Sequence, residues 1–309
     1  AVIKPAEQTP LTALKLMELA HEAGIPNGVL NVVTGEASKI GEAWLQDSRV
    51  TKITFTGSTN VGKLLMRGAA DNVKKVSLEL GGNAPFIVMN DADLPKAAAG
   101  LVQSKFRNAG QTCICTNRIY VQEDVAEEFI TLFKNEIKKL QVGNGIEEGV
   151  DVGPLIDEVA LNKVQSMVEE AVQQGARVVL GGNPLPIANG HFFEPTILVD
   201  VAENMTCMNS EIFGPLAPIA TFKTIEDVIS RANDSLSGLA AYVYTENLTR
   251  AIIISEELEY GIVGVNDALP SVAQAPFGGY KESGLGREGS HFGIEEFLEV
   301  KYISIGLSL

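Results

Sequence analysis

Cys113 closes the run Phe106-Arg107-Asn108-Ala109-Gly110-Gln111-Thr112-Cys113, where a helix-like stretch gives way to a Gly-Gln turn, and Glu79 lies upstream in Leu78-Glu79-Leu80-Gly81-Gly82. A thiol that attacks carbon and a carboxylate that activates water are the parts needed to turn an aldehyde into a thioester and then hydrolyse it. A free thiol, with a pKa of about 8.5, is only a few per cent thiolate at neutral pH, so this role requires N–H dipoles or a cation nearby. Glu79 would need its pKa raised towards neutrality by partial burial, which Leu78 and Leu80 favour, and Gly81-Gly82 would let the backbone carry it close to the thioester. The competing readings are plain: Cys113 as a small buried hydrophobe and Glu79 as a surface carboxylate in a strand. No Gly-x-Ser-x-Gly motif and no neighbouring histidine supports a serine-hydrolase or papain-like arrangement.

Other stretches carry anion and ribose chemistry. Gly57-Ser58-Thr59-Asn60-Val61-Gly62-Lys63 follows a strand and opens a helix, which puts free backbone N–H groups where a phosphate can sit. It falls short of a nucleotide-triphosphate loop because Leu64 occupies the place of the magnesium-holding Ser or Thr. Lys4-Pro5-Ala6-Glu7 ends the first strand, where open α/β sheets bind ligands. Cys115 stands two residues beyond Cys113, and a local bend would allow a disulfide that silences the thiol. Arg107, on the last turn of its helix, either serves the helix dipole or points down a substrate entrance. In the second case a charge-assisted bond to an anionic tail is worth about 1.5–3 kcal/mol, roughly 10- to 150-fold in selectivity.

The elements that must position these groups alternate. Apolar-periodic helices over Leu11–Ala23, Ser38–Leu45, Val61–Ala70, Leu94–Phe106, Val125–Leu140 and Val159–Gln174 are interleaved with short β-rich runs. Those strands are Val29–Val33, Val50–Phe55, Phe86–Met89, Arg118–Val121, Arg177–Leu180, Thr196–Val199, Ala240–Tyr244 and Ile262–Val265. Such alternation means βαβ units and parallel sheet, here in two α/β lobes. The tail over 301–309 alternates strictly, with Ile303, Ile305, Leu307 and Leu309 on one face, and reads as a strand that must pair with something.

Composition narrows the partners. A chain of 309 residues, 45% apolar and 20% charged, buries a sizeable core, and a net charge of −15 argues against nucleic acid. Three cysteines, Cys113, Cys115 and Cys207, make no disulfide framework and point to a reducing compartment; His21, His191 and His291 are far apart, so no metal is expected. No apolar run of about 18 residues predicts a membrane span. The opening Ala1-Val2-Ile3-Lys4-Pro5 reads as a strand already in progress, so an upstream part is expected.

Together these motifs resemble the aldehyde dehydrogenase superfamily, and within it the succinate-semialdehyde dehydrogenases, over the whole of Ala1 to Leu309. The closing Gly289-Ser290-His291-Phe292-Gly293-Ile294 belongs to the narrower likeness. The resemblance implies an α/β fold: an incomplete Rossmann-type cofactor lobe, an α/β catalytic lobe and a C-terminal oligomerisation strand. Its boundaries would be 1–81 for the cofactor lobe, 82–281 for the catalytic lobe, 282–298 for a return to the first, and 299–309 for the strand. It implies Cys113 as nucleophile and Glu79 as base. Lys4 and Glu7 would meet the adenosine ribose, Gly57, Ser58 and Gly62 the pyrophosphate, and Glu211 and Phe213, from Glu211-Ile212-Phe213-Gly214-Pro215, the nicotinamide side. Arg107 and Ser271 would bind a substrate carboxylate. Phe277, in Pro276-Phe277-Gly278-Gly279-Tyr280-Lys281-Glu282-Ser283-Gly284, would wall the tunnel.

Glu7 accepts from a ribose 2′-OH but repels a 2′-phosphate, so NAD is expected over NADP. The expected substrate is succinate semialdehyde or a similar acid-aldehyde, in a cytoplasmic homodimer or homotetramer, or in the mitochondrial matrix if an upstream segment carried a transit peptide. An Asn of the oxyanion hole and a second carboxylate-binding Arg would lie upstream of Ala1. The rival from another class is a folded or oligomerising module without turnover. If the Cys113–Cys115 switch operates, Cys115→Ala loses the activity that a thiol reductant restores after peroxide treatment; equal recovery in variant and parent excludes it.

Overall fold

The computed structural model describes residues 1–307 and divides into two compact units. The first holds residues 1–54 and 60–76. In it Val2–Ile3 pairs in parallel with Asn31–Val32, and the helix Leu11–Glu22 makes the crossover, ending where Gly24 takes φ +85°. Helices Ala37–Gln46 and Thr59–Ala70 follow, the second starting at the border residue Thr59. The buried Lys74 ammonium donates to the Asp47 and Val50 carbonyls, both at 2.7 Å.

The second unit, residues 55–59 and 77 onward, is built on a seven-stranded sheet. Its spatial order is Ile262–Val265, Ala240–Tyr244, Ala84–Val88, Thr116–Gln122, Leu216–Phe222, Thr196–Val199 and Arg177–Leu180. All neighbours are parallel except the edge strand Arg177–Leu180. Ala84–Val88 and Ala240–Tyr244 are buried at every position, as continuous apolar runs in a sheet covered on both faces must be. Helix Leu94–Phe106 begins at Asp93, whose carboxylate accepts from the Lys96 amide at 3.0 Å, and stacks Phe106 on Phe133 of helix Ala126–Ile137.

Among the elements of the second unit that the sequence pattern does not show, three build the main sheet and its cover. The central strand Leu216–Phe222 carries Pro218 and follows Pro215, residues that ordinarily argue against an interior strand; its place between two buried strands overrides that signal. Helices Ile225–Asn233 and Leu248–Glu257 then return to the sheet. Arg107 is the C-cap of its helix rather than part of its last turn: with ψ 131° the chain leaves the helical path there.

The tail, expected to join the sheet of another subunit, is described in a single chain. Residues 299–307 form no strand, and Val300, Tyr302, Ile303, Ile305 and Leu307 are exposed; Ser308 and Leu309 lie outside the described residues. A strand forms only where an edge accepts its N–H and C=O groups.

Phe86, fully buried, stacks on Tyr244 with ring centroids 4.9 Å apart at the centre of the sheet. Phe86→Ala should therefore cost about 3–5 kcal/mol of unfolding free energy by urea titration; a loss below about 1 kcal/mol would show that the sheet centre is not the core of the unit.

Candidate active site

The carboxylate strand Lys75–Glu79 pairs antiparallel with Gly284–Leu285, in the register Gly284↔Glu79. Gly284 is required there, at φ +147°, because a Cβ would overlap the Leu78 carbonyl. Just beyond the strand, Ser283 fixes the turn: its carbonyl accepts from Leu80 N–H at 2.9 Å, and its hydroxyl donates to Gly81 O at 2.7 Å and accepts from Gly238 N–H at 2.9 Å. Gly57 N–H donates to the Glu79 carbonyl at 3.0 Å, which ties the start of the Gly57–Gly62 turn to the same residue.

The Glu79 side chain is 4% exposed, and among the described residues neither carboxyl oxygen has a hydrogen-bond partner. Burial, reinforced by the Glu288 charge and opposed by Arg287, pushes its pKa up to about 8. An unsatisfied, mostly protonated carboxyl is costly for folding alone, and such sites cluster where chemistry is done.

The cysteine turn forms because the chain reverses hand after Phe106. Asn108, Ala109 and Gly110 take φ +53°, +55° and +77°, a strained run for two residues that carry a Cβ. Asn108 Nδ2 donates to Gln111 O and Gln111 Nε2 returns to Asn108 O, both at 3.0 Å, while Gln111 Oε1 accepts from Ile156 N–H at 2.9 Å. Tyr242 then clamps the far side, donating its buried hydroxyl to Ile114 O at 2.6 Å.

Cys113 itself is half-buried. Burial first, then the charges of Glu211 and Glu79, push its thiol up to about 11, against the pull of the Cys113 and Ile114 amides. Sequence reasoning asked for N–H dipoles or a cation; two amides are present, and burial outweighs them.

Gly82 brings the two turns together. A Cβ there would overlap the Cys113 carbonyl oxygen, and the Gly82 amide donates to Glu211 Oε1 at 3.1 Å. Gly81 is less confined, since its Cβ would meet only the movable end of the Glu211 side chain, 2.9 Å from Oε2, and its amide reaches Thr59 Oγ1 at 3.3 Å. Burial raises the Glu211 carboxyl, opposed by that Gly82 bond and by Lys163 and Lys105. Phe213 is exposed with φ +50°, and Phe277 is half-buried, its backbone exchanging bonds of 2.8 and 2.7 Å with Glu288. Arg107 and Ser271 are both exposed, the first at the head of the cysteine turn and the second in the loop after Asp267.

Cys115 faces away from the turn into the core, its thiol donating to Thr116 O at 3.2 Å and Lys105 O at 3.5 Å. A bond to Cys113 would require it to leave these carbonyls. In the first unit, Lys4 Nζ meets Glu7 Oε2 at 3.0 Å and the Ala37 amide donates to Glu7 Oε1 at 2.8 Å; the Lys4 bond leads in holding the Glu7 carboxyl below its ordinary range. Gly62 is buried in the helix Thr59–Ala70. The described residues contain no group of three or more His, Cys, Asp or Glu that could hold a metal, and no helix long and apolar enough to cross a membrane.

The model of the aldehyde dehydrogenase family matches residues 1–303. The chain belongs to this family. It is 55% identical over 306 residues to the succinate-semialdehyde dehydrogenase [NADP(+)] of Escherichia coli (strain K12), covering 99% of this chain and 63% of that protein. It is 54% identical over 306 residues to the glutarate-semialdehyde dehydrogenase of Pseudomonas putida, with the same coverage. A solved structure described as an E. coli NADP-dependent enzyme superposes with a TM-score of 0.97 at 55% identity, covering 99% of this chain and 63% of that one. The chain thus spans 63% of the length of these relatives.

The second unit holds Cys113, Glu79, Glu211 and Phe277 together, whereas the boundary expected at residue 81 had set Glu79 in the cofactor lobe; sequence reasoning also overlooked Ser283, Lys163 and the buried Lys105, which only packing brings into range. Ser283 did lie inside a quoted motif, and that was the available signal. Folding holds the Glu79 proton more tightly than the unfolded chain, where its ordinary value is 4.5. Its contribution to stability is therefore full below pH about 4.5 and is lost as pH rises through about 8. Glu79→Gln is expected to match the parent's stability relation at pH 4 and to gain on it by pH 9 in denaturation curves across pH; a constant difference would contradict the burial.

Proposed function

We propose that this chain carries the chemical centre of an NAD-dependent oxidation of succinate semialdehyde to succinate. The observation that supports it most directly is the buried Glu79 carboxyl, without a partner among the described residues and near enough for its charge to raise the Cys113 thiol, three residues before the Gly82 that packs on the Cys113 carbonyl. Cys113 gives its proton to ionised Glu79 and attacks the aldehyde carbon, forming a thiohemiacetal whose oxygen can be met by amides of the turn. Bound dinucleotide supplies the hydride acceptor, and loss of hydride leaves a thioester on Cys113. Glu79, once it has released its proton to solvent, takes one from water; the hydroxide adds to the thioester carbon, the C–S bond breaks and the thiol is restored.

The residues present suit a dinucleotide. Gly57, Ser58 and Gly62 suit the pyrophosphate. Glu211 and Phe213 suit the nicotinamide ribose and ring side, with Lys163 and the Gly82 amide opposing the burial that would protonate Glu211. Lys4 and Glu7 suit the adenosine ribose, and the ionised Glu7 carboxylate favours NAD, although the E. coli relative is named for NADP(+).

Arg107 and Ser271 are the proposed contacts of the substrate's carboxylate tail, and Phe277 lines its path. Glutarate semialdehyde is the second candidate, one methylene longer and named for the Pseudomonas relative; such a difference is worth only about 1–3 kcal/mol in a pocket. We also infer a cytoplasmic homodimer or homotetramer, in which the exposed alternating tail finds the sheet edge it lacks in one chain.

In a protein extended to the length of its relatives, Cys113→Ala should abolish reduction of dinucleotide. Arg107→Ala should lower kcat/KM for succinate semialdehyde roughly 10- to 150-fold while leaving propanal unchanged. Equal efficiency of the parent on both aldehydes would remove the substrate assignment.

A further inference from the structure

Residues 210–212 belong to no helix or strand, yet Ile212 is fully buried and Glu211 between them must hold one attitude. Their backbone groups are met by side chains. Asn117, four residues past Cys113 on strand Thr116–Gln122 and 3% exposed, grips both flanks of Glu211: its Nδ2 donates to Ser210 O at 2.9 Å and its Oδ1 accepts from Ile212 N–H at 2.9 Å. The same Nδ2 donates to Asn83 Oδ1 at 2.5 Å, and Asn83 Nδ2 donates to Met208 O at 3.0 Å. Asn83, 4% exposed, directly follows Gly82, whose amide holds the Glu211 carboxylate at 3.1 Å. A carboxamide carries a carbonyl acceptor and two N–H donors, so one side chain can meet both a backbone amide and a backbone carbonyl. Both hydrogens and the oxygen of Asn117 are thus engaged, and a shorter or one-sided group cannot replace them.

We propose that Asn117, backed by Asn83, is a positioning residue that clips the Glu211 loop to the cysteine strand and so fixes the Glu211 carboxylate relative to Cys113. This rests on the reading of Glu211 as a contact of the nicotinamide ribose. The clip sits where the ladder between Ala84–Val88 and Thr116–Gln122 begins, at Ala84↔Thr116, and ties to it two segments that lie outside any strand, the Gly82–Asn83 turn and the loop 208–212. Removing it leaves the Ser210 carbonyl, the Ile212 amide and an oxygen of Asn83 without partners in a buried setting, and the loop relaxes to recover them from water.

Two measurements test it. In Asn117→Ala, hydrogen exchange at the Ile212 amide should rise roughly 10-fold or more while the Tyr120 amide of the sheet centre keeps its protection; unchanged exchange at Ile212 overturns the clip. Asn117→Ser, whose hydroxyl cannot reach both flanks, serves if the alanine variant does not fold. In the protein extended to the length of its relatives, Asn117→Ala and Glu211→Gln should each lower kcat/KM for the dinucleotide about 10-fold, with the double variant no worse than the poorer single one. Alkylation of Cys113 by iodoacetamide without dinucleotide should stay within about 2-fold of the parent. Additive losses, or alkylation changed about 10-fold, mean a general loosening and overturn the positioning role. A Glu211→Gln variant with unchanged dinucleotide kinetics overturns the ribose assignment and this proposal with it, whatever the Ile212 amide does.

Discussion

A backbone contact that only glycine permits sits at the centre of the second unit: the Gly82 Cα packs against the Cys113 carbonyl so closely that any side chain would overlap it. This contact sets how far the carboxylate strand can advance towards the cysteine turn. Because the strand advances that far, Glu79 enters the interior behind it and loses water without gaining a partner. Around the contact, Ser283 locks the Gly81 carbonyl and Gly284 lets its strand press against Leu78. The motif Pro276–Gly284 is therefore a brace for the carboxylate strand as much as a source of Phe277.

The electrostatic state of the site follows from the same closeness. Two acids stand near each other in a region poor in water, and burial moves both towards their neutral forms, Glu79 to about 8 and Cys113 to about 11. The Glu79 charge adds to the rise at Cys113, while the charge that adds to the rise at Glu79 is that of Glu288. A thiol that stays protonated until an electrophile arrives is protected from indiscriminate oxidation. The carboxyl, by contrast, lies close enough to neutrality to suit the general-base role proposed for it. Lys163 and Lys105 act on Glu211, and neither is among the charges that shape Cys113.

The turn that presents Cys113 is held by polar groups because a run of positive φ cannot be carried by a ladder. Asn108 and Gln111 bond each other's carbonyls, Tyr242 takes Ile114, and Asn117 takes the loop beside it. Each of these side chains is a donor or acceptor spent on backbone, the usual means by which a non-repeating segment is made rigid in an interior. If Cys113 is the nucleophile proposed above, this rigidity has a chemical use, since a displacement of about 1 Å at a reacting centre can cost roughly 100-fold in rate.

Much was legible in the chain alone, and the reason is local. Alternating periods fixed the βαβ order, and helix Leu94–Phe106 and strands Thr196–Val199, Ala240–Tyr244 and Ile262–Val265 begin and end where the apolar pattern does. Cys113, Glu79 and Gly81-Gly82 stood out as candidates because the chemistry proposed for them depends on residue type and short spacing. Strand Leu216–Phe222 was hidden because Pro215 and Pro218 speak locally against it while burial between two strands decides for it. The tail alternates as a strand yet forms none, because alternation supplies a face and not an edge. Tertiary structure alone decided the protonation of Glu79, the orientation of Cys115 and the meeting of Asn83 with Asn117, since each depends on which groups distant in sequence exclude water from the same few ångströms.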